Sequence, residues 1–165
     1  MKSLLDINWD IVEDLNKAAR EASDSGHYLE SAIIIFQRLE ILLRIILFSS
    51  AVKKRFSDFV LKRVEDEKNF FQLVLYLDFV EPDNNLSERL LKLNDKRNSI
   101  MHRLFQSFES YDSVKNDLKE FCLEGLVLNN RLSKILDRKN VIRLVNTKKR
   151  TLKENISNED RRNKG

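Results

Sequence analysis

No glycine or proline interrupts the chain between Gly26 and Pro82, and none again between Pro82 and Gly125. Those residues make most tight turns, so a fold assembled from many short strands has nowhere here to reverse direction. The uninterrupted stretches are rich in leucine, lysine, glutamate and arginine, which lose little side-chain freedom on becoming helical. The sequence therefore predicts an all-α protein, and its 165 residues suffice for one domain with a single sizeable core.

Apolar spacing divides the chain into helices. Ile7, Ile11, Val12, Leu15, Ala18, Ala19 and Ala22 recur every three or four residues and predict a helix from Asp6 to Asp24, stopped by Ser25-Gly26. A second helix, His27 to Ser49, contains AIIIFQRLEILLRIILF. Its polar residues Gln37, Glu40 and Arg44 share one stripe, which reads as a narrow solvent-facing strip with an i,i+4 ion pair or as the lining of a cleft. A charged helical piece follows over Lys53 to Glu67. The run NFFQLVLYLDFV suits a buried strand or a buried helix, and without a partner strand it is assigned to a short core helix. Asn85 with Glu88 resembles a capping box and opens a helix that ends near Ser107. A last long helix, Asp112 to Leu136, turns Val114, Leu118, Phe121, Cys122, Gly125, Leu126, Leu128 and Leu132 inward. The expected architecture is a bundle of about five helices over residues 1–137, then a basic, partly disordered tail over 138–165 that is weakly helical between Val141 and Leu152.

A single cysteine, Cys122, excludes an internal disulfide and a cysteine-rich zinc site. Two histidines, His27 and His102, argue against a multi-histidine metal centre, although carboxylates alone can hold Mg²⁺. No apolar run approaches the roughly 18 residues of a membrane span, and MKSLLDINWD lacks a signal-peptide core. A soluble cytoplasmic protein without cofactor or metal is expected. The net charge of +4 is uneven: from Arg138 onward ten Lys or Arg face three acidic residues. Such a tail suits phosphate contact, or it is a solvated terminus that aids solubility.

The chemistry is concentrated in LNDKRNSIMHRLF, Leu93 to Phe105. On a wheel of about 100° per residue, Leu86, Leu90, Leu93, Ile100, Met101 and Leu104 define one face with Arg97 at its centre. Asn98 and His102, four apart, occupy the flank. A guanidinium in an apolar seam loses hydration unless a partner or a wet cleft compensates. It can snorkel to the rim, pair with a carboxylate such as Glu40, or swing toward Asn98 and His102.

Arg97-Asn98-x-x-x-His102 resembles the Arg-x4–6-His signature of the HEPN superfamily, and the likeness to its small helical bundles covers about Asp6 to Leu136. The resemblance implies a metal-independent endoribonuclease in which the substrate's 2′-hydroxyl attacks phosphorus. His102 would move protons, Arg97 would steady the phosphorane oxygens, and Asn98 would orient the imidazole or a phosphate oxygen. Gln37, Glu40 and Arg44 are candidate cleft-lining residues. The resemblance further implies a homodimer through the Arg97–His102 face, RNA as substrate, and the role of toxin in a toxin–antitoxin or phage-defence system with a cognate antitoxin. One toxin class is silenced by modification of a tyrosine two residues after the histidine; Leu104 stands there, and the next tyrosine is Tyr111. The competing expectations are a non-catalytic HEPN-like module that binds RNA, nucleotide or a protein partner, and a plain helical interaction protein with a structural arginine. A phosphate-loop enzyme lacks its glycine-rich loop here.

Overall fold

The apolar run from Ala32 to Phe48 forms the middle of α2 (Tyr28–Lys53), around which the fold is arranged. Four consecutive residues, Ile45, Ile46, Leu47 and Phe48, are buried and so cover every side of it there, as expected of a helix without a continuous polar face. The computed structural model describes residues 8–54, 62–64, 66–67, 69–80 and 82–136. Within them the other helices are α1 (Trp9–Asp24), α3 (Phe70–Val80), α4 (Asn84–Phe105) and α5 (Tyr111–Ile135), with no strand. The all-α bundle is therefore as expected. The basic segment from Arg138, and most of the charged piece between Lys53 and Glu67, lie outside the described residues; 62–64 are helical.

Helices α1, α3 and α5 all pack on α2, and α4 packs on α3 and α5. Local chemistry sets the joints. Asn8 caps α1, its side chain accepting from the Asp10 amide at 3.0 Å. At the other end Gly26 takes φ 80°, and the amides of Gly26 and His27 return to the carbonyls of Ser23 and Ala22. That is a Schellman closure, which glycine enters without a Cβ penalty. In α3, Phe70, Leu73, Val74 and Leu77 are buried at helical spacing, and the Phe70 ring lies 4.5 Å from that of Phe36. The ambiguous apolar run is thus a core helix. Gly125 of α5 lets the two longest helices touch: a Cβ there would overlap Cγ2 of Ile35, which is fully buried.

Three local expectations need correction. The α4 cap is Asp83, whose Oδ1 accepts from the Leu86 amide at 3.1 Å; Asn85 instead accepts from Arg131 at 2.9 Å, and Glu88 pairs with Lys92. Arg131 also holds the second oxygen of Asp83, so a side chain from α5 braces the start of α4. Ile11, assigned to the inner face of α1, is 55% exposed, while Val12 beside it is buried. Arg44, read as part of an exposed strip, is buried, although its i,i+4 pairing with Glu40 forms. Among the described residues no helix is long and apolar enough to cross a membrane.

Candidate active site

Helix α4 is anchored by Leu86, Leu90, Leu93 and Ile100, all buried. Those four fix its rotation, and Arg97, one turn beyond Leu93, is carried to the mouth of the gap between α4 and α2. There its guanidinium lies over the Phe36 ring, 4.2 Å from the centroid. Nη1 donates to Asn98 Oδ1 at 3.2 Å. The side chain is half-buried, and among the described residues it enters no ion pair. The contrast with its neighbours is informative. Arg89 is paired with Glu124, Arg103 with Glu109 and Asp117, and Arg131 with Asp83. Glu40, the carboxylate that lines the same cavity as Arg97, is engaged by Arg44 at 2.5 Å. Arg97 therefore keeps a positive charge without a carboxylate, supported by an aromatic face.

A cavity of about 210 Å³ opens beside it, between α2, α4 and α5. Helix α2 contributes Gln37 and Glu40 to its wall, α4 contributes Arg97 and Met101, and α5 contributes Phe121. Arg44 is not on that wall; its Nη1 donates to the Val64 carbonyl at 3.3 Å and its Nη2 to Glu40. Of the candidate cleft residues, Gln37 and Glu40 line the cavity and Arg44 orients Glu40.

His102 occupies the last turn of α4. Its carbonyl accepts from the amides of Gln106 and Ser107, closing the helix, and its side chain is exposed. Nδ1 is 3.5 Å from Ser107 Oγ, and no hydrogen bond joins the imidazole to Arg97 or Asn98. The structure thus brings Arg97 and Asn98 together and leaves His102 one turn beyond, on the open surface. The adjoining Arg103 was not singled out from the sequence. It donates to Glu109, Asp117 and the Ser113 carbonyl, tying the end of α4 to α5. The Glu109 and then the Asp117 carboxylate hold its guanidinium above the ordinary value, and Arg103 holds the Glu109 carboxyl below its own. Its partners lie six and fourteen residues away, so no helical spacing announces them.

No family model, curated protein or solved structure matches this chain. The functional reading consequently stands on the motif and its geometry.

Arg38 was also missed. It is buried, donating from Nε to the Val12 carbonyl at 3.0 Å and from Nη2 to Ser133 Oγ at 3.1 Å, with no hydrogen-bond partner for Nη1 among the described residues. Burial pushes its guanidinium below the ordinary value, and Glu13 opposes that effect. It joins α1, α2 and α5 on the side away from the cavity wall, and its role is architectural.

Proposed function

We propose that this chain is a metal-independent endoribonuclease of the HEPN type, with Arg97, Asn98 and His102 as its working residues. The observation that carries the reading is Arg97: a half-buried guanidinium at a cleft, stacked on Phe36 and free of any carboxylate among the described residues. A cation kept unneutralised at a concave surface suits an anionic ligand, and its planar fork matches phosphate oxygens. Asn98 fixes one N–H of that fork and leaves the others for the ligand.

The reaction follows from these groups. A histidine takes the proton of the substrate's 2′-hydroxyl, and the resulting oxygen attacks the adjacent phosphorus. Arg97 balances the charge that accumulates on the non-bridging oxygens. The bond to the 5′-oxygen breaks as that oxygen receives a proton, which leaves a 2′,3′-cyclic phosphate and a 5′-hydroxyl. One imidazole per protomer supplies only one of the two proton-transfer groups. A twofold dimer through this face brings a second His102 and a second Arg97 to the same phosphodiester. Phe105 and Phe108, beside His102, are 65% and 85% exposed and give that contact apolar surface. The basic segment beyond Arg138 would add sequence-independent attraction for RNA. In this reading the protein acts as the toxin of a toxin–antitoxin or phage-defence pair, restrained by a cognate antitoxin.

The second reading, a non-catalytic module that binds RNA, nucleotide or protein, is favoured by one observation: His102 approaches Ser107 and not the Arg97–Asn98 pair. The two readings part in one assay. End-labelled RNA is incubated with the wild type, Arg97→Ala and His102→Ala in the presence of EDTA. Cutting by the wild type alone supports the nuclease. Equal cutting by all three, or binding without cutting, rejects it.

A further inference from the structure

We propose that the cavity between α2, α4 and α5 is a nucleobase subsite that selects guanine, with Glu40 and Gln37 reading the edge of the base. This deepens the nuclease reading and rests on its premise that Arg97 meets an RNA phosphate. Arg97 is the link: the same side chain offers its fork to the phosphate and forms part of the cavity wall. A nucleotide held at Arg97 therefore has its own base within reach of the cavity.

The walls fit a flat, apolar-faced ligand. Ile33 and Met101 are open to the cavity above a buried floor of Phe36, Ile100 and Phe121, and a space of about 210 Å³ suits one ring system better than a helix. Proteins that take single-stranded RNA place unstacked bases on such surfaces and read their edges with a few polar groups. Here the polar groups on the wall besides Arg97 are Gln37 and Glu40.

Their chemistry chooses the base. Arg44 holds Glu40 through Oε1, which sets the carboxylate's position, and Oε2 has no hydrogen-bond partner among the described residues. A carboxylate only accepts. Guanine alone presents two adjacent donors on its Watson–Crick edge, N1–H and the 2-amino group. Adenine and cytosine place a ring acceptor beside their amino group, and uracil flanks one N–H with two carbonyls. Gln37 is exposed, makes no hydrogen bond among the described residues, and carries an amide able to donate to guanine O6.

The test titrates the full chain with GMP, AMP, CMP and UMP, following the methyl resonances of Ile100 and Met101 by NMR. GMP is expected to bind at least tenfold more tightly than the others and to move both signals. Glu40→Gln, which turns an acceptor pair into a donor–acceptor pair, erases the preference. Because that change also releases a partner of the buried Arg44, Gln37→Ala provides a second variant on an exposed position; it weakens GMP several-fold and leaves the fold intact. Equal affinity for the four nucleotides, no binding, a preference that survives both substitutions, or shifts confined to another surface would each overturn the proposal. A short RNA with a single guanosine is expected to bind more tightly than GMP, and equal binding would overturn its link to RNA. These are binding measurements, so a protein that cuts nothing can still hold guanine. RNA cutting that ignores guanine would remove the subsite and leave the nuclease standing.

Discussion

Replacing Arg97 by leucine separates a residue kept for function from one kept for structure. The position lies one turn from Leu93 and next to Ile100 and Met101, with Phe36 facing it, so leucine completes an apolar seam. Two favourable contacts are lost. The partly exposed cation–π contact contributes about 0.5–1 kcal/mol, and the hydrogen bond to exposed Asn98 about 0.5 kcal/mol. Against this, a buried leucine contributes about 1.5–3 kcal/mol over an exposed one. The arginine stem already secures part of that gain, while the guanidinium bears a desolvation cost that the substitution removes. The balance falls between no change and about 1 kcal/mol of added stability. For a domain of this size that corresponds to a melting temperature unchanged or raised by up to about 4 °C. Calorimetry or circular dichroism at neutral pH measures it, alongside RNA cutting, which should disappear. A fall of several degrees would refute the reasoning, because it would make Arg97 a structural member of the bundle.

Other substitutions probe the frame around the site. Gly125→Ala drives a methyl into Ile35 and should cost about 1–2 kcal/mol despite alanine's better helix propensity; adding Ile35→Leu, which removes the offending Cγ2, should recover part of the loss in urea denaturation. Arg38→Met, similar in length and without a charge to desolvate, should remain within about 1 kcal/mol of the wild type, whereas Arg38→Ala should lose about 3 kcal/mol through the cavity and the unpaired groups it leaves. The Asp83 carboxyl is held below the ordinary range first by the Leu86 amide and then by Arg131. Its folded-state value is thus the lower one, so its contribution is complete above the unfolded value of about 4 and is lost as pH falls through the folded one. Asp83→Asn keeps the cap and loses the charge; its urea midpoint should lie below that of the wild type at pH 7, and the gap should close on acidification.

The sequence exposed what depends on neighbours within two turns and hid what depends on other helices. Buried Phe70, Leu73, Val74 and Leu77 bear out the helix over NFFQLVLYLDFV, which the continuous apolar run left open and the lack of a pairing strand decided. The Glu40–Arg44 pair was legible from its i,i+4 spacing. The depth of Arg44 was not, because it depends on the Val64 carbonyl brought over it. Asn85 carried a reasonable capping signal, but its side chain accepts from Arg131, 46 residues further on, and the Leu86 amide is capped by Asp83. At the site, the wheel placed Arg97 on the seam and Gln37 with Glu40 on one stripe. It could not show Phe36 beneath the guanidinium, nor that the His102 ring turns toward Ser107. A wheel gives the direction of Cβ, and the rotamer beyond it answers to tertiary contacts.

A defined RNA with one 2′-deoxynucleotide at a mapped cleavage position, incubated with purified protein and a chelator, interrogates the chemistry itself. Cutting should vanish at that position, persist at all-ribose positions, and leave 2′,3′-cyclic phosphate and 5′-hydroxyl ends. A cut at the deoxy position, or all-ribose RNA left intact, would contradict an Arg97–His102 nuclease that relies on the substrate's own hydroxyl.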